Sequence, residues 1–593
     1  MWIAAVLALT PLAFLPGVFL YYDITPKIVV VSIAGAALVF FAGAAVRILA
    51  AGRDGRRVLV VLGAMAASLV ISTVFSTFPA GSISGSTWRR FGFPVQISLL
   101  IFFLAALAAL SANRDAQRLA LRAVAAVLAI SAVYGIVQYF ELDPLIQKQL
   151  YSAGQYNQPI LRPPSTLGSA TNLANFALIG VFLCLGMRRA ETERLWRYLG
   201  GGAAVLGAVA VVLSGTRAAL AGLAAGAVFL GIRYFRAINR KAILASALAM
   251  ALLAAFYLSP AGYFLRNRAV QAWGDYKGGT RPWLWRDSLR MAAGRPLFGY
   301  GLDTFSLNFP RSQSAALSIA YPDAYNESPH NFALDVLLAQ GVAGVAPLIA
   351  MLWLAFSARG REKDFVRAGL LALVTSCLFF CFEVTSAIYF YFALAVLLAT
   401  PVSDQTIEKD SGTIRFCQAW AALLLIVFAT ETAVSDAGYE RARRDLANGD
   451  LTASVADYEA GRAWFPLGFN SSLWYSRNLL GAAQRLGQVA ANLPEISRTA
   501  QDAYHNAEDR QNAGYHLAML YASQGQFARA SSLLEECIRL APTWYVPYWA
   551  AAMTDQSLGR DAEAREMAAK AVEFSGKHRT EMTQFLDSIP DSR

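Results

Sequence analysis

Charge is scarce in this chain. Only 15% of its 593 residues are Asp, Glu, Lys or Arg, against roughly 25% in ordinary soluble domains, which excludes a protein solvated along its whole length. Cysteine is rarer still: Cys184, Cys377, Cys381, Cys417 and Cys537 lie scattered, three of them inside apolar runs, and this excludes a disulfide framework or a cysteine metal cluster. Of four histidines, His330 alone precedes residue 500. There is no Asp-x-Asp pair to hold a metal with a sugar nucleotide, and no phosphate loop with its lysine. Neither a metal nor a cofactor is expected.

What abounds is apolar surface, at 56% of residues. Runs of about 20 apolar residues, enough to cross a bilayer, predict about 12–13 spans, near 2–22, 28–50, 58–77, 94–111, 119–140, 171–187, 198–215, 218–232, 243–260, 330–356, 367–384, 386–401 and 417–435. The first run lacks a basic leader and a small-residue cleavage site, so it reads as a retained span. Residues 1–436 hold 35 Lys+Arg against 21 Asp+Glu, whereas 437–593 hold 16 against 19. The basic excess falls in short loops between spans, which points to orientation in a membrane rather than to nucleic acid. With the N-terminus in the cytoplasm, 21 basic residues fall inside, against six in the short outer loops. That places the loop 259–329 and everything after 436 outside the cytoplasm. The expected organisation is a polytopic membrane domain over 1–416, a last transmembrane helix over 417–436, and a soluble domain over 437–593.

A loop of that length has work to do. Within it, "TRPWLWRDSLRMAAG" predicts a short amphipathic helix with Thr280 as N-cap, Pro282 in the first turn, Trp285 and Leu289 one turn apart, and Gly294 as its stop. The tail repeats itself: Gly525 and Gly559 are 34 residues apart, as are Ala530 and Ala564, with Tyr521, Phe527 and Pro542 at tetratricopeptide-like positions. A weaker copy over 435–468 puts Gly449, Tyr458 and Pro466 in register. The expected fold is therefore all-α: a membrane helical bundle followed by an α-solenoid that offers a concave face to a protein partner. His505, His516 and His578 fall on its helices as solvated or packing residues.

Polar groups gather at the outer face. Arg217 stands between two spans in "SGTRAALAGL", Arg281 opens the loop helix one turn before Trp285, and His330 precedes Asn331 at the head of a span. A helix N-terminus disfavours an imidazolium, so His330 is expected neutral and able to accept a proton. Arg89 and Arg90 in "GSTWRRFG" and Arg162 in "RPPSTLGSATNLANF" belong to the same face. Several arginines around one neutral histidine suit an anionic, lipid-linked substrate, because a planar guanidinium grips two phosphate oxygens at once. Glu383 and Asp335 are carboxylates at membrane level that could orient His330 or the arginines.

"SGTRAALAGL", "GTRPWLWRDSLRMAAGRPLFGYGLDTF" and "HNFALDVLLAQGVAGV" resemble, in order and spacing, the successive motifs of the O-antigen ligase and polymerase superfamily. The resemblance covers roughly 80–400 and implies a metal-independent, inverting, GT-C-like glycosyltransferase in the bacterial inner membrane, with the large loop and the tail in the periplasm. It implies a glycan donor on undecaprenyl pyrophosphate, Arg217 and Arg281 on the diphosphate, and His330 on the acceptor hydroxyl. Arg89, Arg90, Arg162, Trp285, Asn331 and Glu383 are the further substrate-binding candidates. The acceptor is lipid A-core, a growing glycan or a protein hydroxyl. A repeat-bearing tail departs from the minimal ligase pattern. The rival class is a polysaccharide transporter or flippase with an adaptor tail, for which interrupted helices in paired halves are the usual mark.

Overall fold

The computed structural model describes residues 1–155, 158–237, 240–274, 278–401, 410–464, 471–506 and 508–590. Among them the chain is helical apart from one antiparallel hairpin, Ser152–Gln155 with Gln158–Leu161. Among the described residues, nine helices are long and apolar enough to cross a membrane: Thr25–Ala50, Arg53–Val74, Phe93–Ala112, Arg114–Tyr139, Ala170–Ala190, Arg194–Leu213, Arg217–Tyr234, Phe332–Ser357 and Gly412–Asn448. This is a multi-pass membrane protein built as a helical bundle.

The other expected spans take different forms. The run 2–22 is helical only over Trp2–Leu12, and Gly17 beyond it is left-handed at φ 77°. Ile243–Leu258 bends by 82° into Pro260–Gly274. The stretches at 367–384 and 386–401 become Asp364–Cys377 and Val384–Leu398, each too short to cross an untilted core of about 30 Å. The last span does not stop at 436: Gly412–Asn448 is one 37-residue helix that carries the chain into the tail.

The Phe332–Ser357 helix is interrupted at Gly341, whose φ of 62° and ψ of −159° leave the helical region. The interruption is filled by the chain itself. Tyr300 N–H donates to Leu338 O at 2.7 Å and Val342 N–H to Pro296 O at 2.8 Å, so the segment 296–301 hydrogen-bonds to the opened turn. Irregular backbone in a membrane protein is tolerated where protein satisfies it. A Cβ on Gly341 would stand 2.4 Å from the Leu297 backbone, and one on Gly299 2.5 Å from that of Ala339. The "RPLFGYG" glycines are thus a docking strip for a broken helix, and among the described residues this interruption and the 82° bend after Leu258 are breaks of the kind the transporter reading asked for.

In the tail, consecutive helices from Gly412–Asn448 to Arg579–Ser588 pack as successive neighbours. Gly449, Gly525 and Gly559 all turn the chain in the left-handed region, at φ 83°, 73° and 71°, and Ala530 and Ala564 are completely buried where adjacent helices meet. Pro466 lies outside the described residues. Two of the tail histidines have partners after all. His516 Nε2 lies 3.0 Å from Ser476 Oγ in the tail core, and His578 Nε2 lies 3.0 Å from Asp323 of the long loop.

Several contacts tie the tail, and the helix leading into it, to the rest of the chain. Asp436, fully buried, accepts from Tyr21 N–H at 3.1 Å, Thr25 Oγ1 at 2.7 Å and Arg90 Nη2 at 3.0 Å. Farther along, Glu508 accepts from the backbone N–H and the hydroxyl of Thr87, and Lys577 pairs with Asp323 at 2.6 Å.

Candidate functional site

The site is assembled from helix ends and the loops joining them. His330 sits at φ 47°, a left-handed conformation that non-glycine residues seldom adopt. The strain is held from both sides. Asn331 caps the next helix, its Oδ1 accepting from the N–H groups of Ala333 at 3.0 Å and Leu334 at 3.2 Å, and Trp285 Nε1 donates to Pro329 O at 3.0 Å. The imidazole stacks near Phe380, with ring centroids 6.2 Å apart, and its Nδ1 lies 3.3 Å from Ser328 Oγ. Strained backbone over-determined by its surroundings gathers at functional sites.

Burial, then the Arg281 guanidinium, then that of Arg89, push the His330 pKa down from 6.5 to about 4. The imidazole is neutral at pH 7, as the sequence suggested, but for another reason: desolvation and neighbouring cations outweigh the helix terminus. Arg281 opens the Arg281–Gly294 helix. Thr280 precedes it without a side-chain cap bond, and the face the helix buries is Leu284, Asp287, Ser288, Met291 and Ala292, leaving Leu289 exposed.

Arg162 is the other reporter. It donates only through long contacts, to Ser214 O at 3.4 Å, Thr171 Oγ1 at 3.4 Å and Thr216 Oγ1 at 3.3 Å. Burial and the nearby charges of Arg268, Arg281 and Arg217, in that order, lower its pKa to about 10. Arg281 therefore acts on both Arg162 and His330. Arg217, first residue of the Arg217–Tyr234 helix, donates to Ala272 O at 3.2 Å, and Arg268 donates to Gly215 O at 3.2 Å. Guanidinium groups from three other segments thus act on Arg162, and one of them, Arg281, also acts on the histidine.

The remaining candidates have structural partners. Arg89 is buried and fully engaged: Nε donates to Asp303 Oδ1 at 2.6 Å, Nη1 and Nη2 fork onto Asp335 at 2.9 and 3.0 Å, and Phe382 O accepts at 3.2 Å. Arg90, 1% exposed, is committed to Thr25 and Asp436 and lies 5.0 Å from the Tyr21 ring centroid. Glu383 caps the Val384–Leu398 helix, accepting from Thr385 N–H at 2.8 Å and from Ser386 N–H and Oγ at 2.7 Å. Asp335 is bound by Arg89 rather than turned toward His330. These residues hold the site's walls, and Trp285 and Asn331 hold the histidine loop.

Sequence reasoning missed two residues. Arg268 sits in "YFLRNRAVQAW", where two arginines interrupting an apolar stretch were its only signal. Asp303, inside the "GYGLDTF" motif, has φ 57° and accepts from Ser86 N–H and Oγ and from Phe91 N–H at 2.7 to 3.0 Å besides Arg89. It clamps the 86–91 loop against the motif. Among the described residues, no group of three or more His, Cys, Asp or Glu side chains converges at metal-ligand spacing.

Comparison with known proteins meets this geometry from outside. Residues 202–349 match the family model described as O-antigen ligase, a window that holds Arg217, Arg268, Arg281, Asp303 and His330 and omits Arg89, Arg90, Arg162, Glu383 and the tail. Over 295 residues the chain is 28% identical to an O-antigen ligase of Pseudomonas aeruginosa, a match covering 49% of this chain and 62% of that relative. The chain thus spans about three-fifths of the relative's length.

Proposed function

We propose that this protein is an inner-membrane glycosyltransferase that moves a glycan from undecaprenyl pyrophosphate to an acceptor hydroxyl on the periplasmic side, with the 259–329 loop and a tetratricopeptide-type tail domain over 437–593 in the periplasm. The observation that carries the reading is the position of Arg281, within electrostatic reach of the neutral His330 on one side and of Arg162 on the other. A diphosphate placed among Arg162, Arg217, Arg268 and Arg281 relieves their mutual repulsion, and its sugar then adjoins the base.

The acceptor oxygen attacks the anomeric carbon with inversion. The bond from that carbon to the diphosphate oxygen breaks, and the lipid diphosphate leaves with the electron pair. Nδ1 faces Ser328, so Nε2 is assigned the acceptor proton. A diphosphate is a good leaving group, and the residues' task is positioning and charge stabilisation. Seating that anion also offsets the field of Arg281 and lifts the His330 pKa from its low resting value. Base strength is then acquired only with donor bound.

The test is transfer from a purified lipid-diphosphate glycan by protein reconstituted in liposomes. Arg217→Ala, Arg281→Ala and His330→Ala should each abolish transfer while the protein stays inserted, and normal transfer by any two of them sinks the assignment. Deleting the gene identifies the acceptor. Long lipid-linked polymer accumulating beside bare core means ligation, single lipid-linked units mean polymerisation, and unmodified secreted protein means transfer to protein.

A further inference from the structure

Between the long loop and the tail lies a pocket of 280 Å³ that plays no part in the arginine and histidine site. One wall is the 309–326 stretch, ending four residues before His330, and the other is the start of the Arg510–Ser523 helix with Thr543 and Trp544. The walls are fastened to each other around it: Ser318 Oγ donates to Thr543 Oγ1 at 2.8 Å, and Asp323 is held by Lys577 and His578.

The lining is amide, hydroxyl and aromatic. Asn326 is 8% exposed, yet its Nδ2 has no hydrogen-bond partner among the described residues. Gln511, 4% exposed, lines the same pocket. A buried polar group without a partner has lost the bonds it made to water, so the Asn326 amide marks a place where a ligand supplies the missing bond. Trp544 lies beside them, fixed edge-on by Tyr515 with ring centroids 5.6 Å apart. No Lys or Arg lines the pocket, and its one carboxylate, Asp323, is already paired.

We infer that this pocket binds a neutral sugar residue of the acceptor. Side-chain amides match hydroxyl groups as both donors and acceptors, a tryptophan face matches the apolar face of a pyranose, and the volume, just below the usual range for small-molecule sites, fits a ring better than an extended peptide. The assignment rests on the glycan-transfer reading, since it makes the tail a wall of the acceptor site rather than a separate adaptor.

Saturation-transfer NMR on the full-length protein in detergent tests it, with the methyl glycosides of glucose, galactose and N-acetylglucosamine as probes and the peptide Gly-Ser-Gly as control. At least one glycoside should bind to wild type and to His330→Ala, and its affinity should fall about tenfold or more in the near-isosteric Gln511→Leu and Asn326→Leu and in Trp544→Ala, each checked for an unchanged melting temperature. No signal from any glycoside, unchanged binding in all three folded variants, or binding of the peptide in their place overturns the inference. The two readings fail separately: transfer by wild type without sugar binding here removes only the pocket, while variant-sensitive sugar binding by a protein that transfers nothing removes only the enzyme.

Discussion

The two ends of the helical bundle treat arginine in opposite ways. At the end away from His330, arginines meet carboxylates: Arg47 with Asp410 at 2.6 Å, Arg122 with Glu191 and Glu193 at 2.9 and 2.6 Å, and Arg233 and Arg367 on Asp364 at 2.9 and 2.7 Å. There the Arg122 side chain draws the Glu191 pKa down to about 2. At the histidine end, Arg89 and Arg90 are likewise paired, and the charges of Arg268, Arg281 and Arg217 together lower the pKa of Arg162. Paired cations hold helices together, whereas cations pressed on one another store repulsion that an anion can release. On the glycan-transfer reading, the difference separates the arginines that build the bundle from those that would serve a ligand.

The largest effects should come from breaking the cluster. Arg281→Ala should reduce transfer by a factor of about 100 or more, as loss of one transition-state hydrogen-bond donor does elsewhere, with the melting temperature little changed. A variant that instead unfolds while transferring normally per folded molecule would place Arg281 among the builders. Arg89→Ala should do the reverse in kind: it leaves Asp303 and Asp335 buried without their cation, at a cost of about 3–5 kcal/mol, read as a loss of folded protein on thermal unfolding.

Titration sharpens the same contrast. With His330 as base, the acid limb of kcat/KM reports the free enzyme and should lie near pH 4, while the limb of kcat reports the donor complex and should lie higher. Coincident limbs would mean that bound donor does not offset the field of Arg281.

At the tail contact the sign is that of a raised carboxyl. Burial takes the Glu508 pKa from 4.5 to about 8, against the lowering effect of the Thr87 N–H and assisted by Asp303, Asp509 and Glu327. Its stabilising contribution is complete below pH 4.5 and is lost as pH rises to about 8. Limited proteolysis should accordingly find the tail better protected at pH 5 than at pH 8.5, and Glu508→Gln should flatten that dependence. The smallest effect is expected at the opposite end. Arg233 is 46% exposed on its side chain, so Arg233→Ala should cost at most about 1 kcal/mol and leave transfer intact.

Much of this was legible along the chain. Hydrophobic runs of membrane-spanning length located nine of the expected spans, and the 34-residue spacing of Gly525 and Gly559 anticipated two identical left-handed turns. Where the reading slipped, a local feature had been outweighed by a distant partner. Arg89 and Arg90 looked like substrate ligands because the acceptors that claim them, Asp303, Asp335 and Asp436, are remote in sequence. Glu383 and Asn331 looked like ligand groups and are helix caps, a use their place before an apolar run already permitted.

Composition and periodicity by themselves determined that the chain is a membrane helical bundle with a polar tail, because apolar length and charge distribution act residue by residue. They also determined which residue types were available for chemistry: one histidine in the membrane part, and more arginines than carboxylates. Only the tertiary structure decided which carboxylates Arg89 and Arg90 meet, which arginines press their charge on Arg162, and that the tail packs against the loop leading to His330. Electrostatic roles depend on separations in space between segments far apart in sequence, and those separations exist only once the helices have packed.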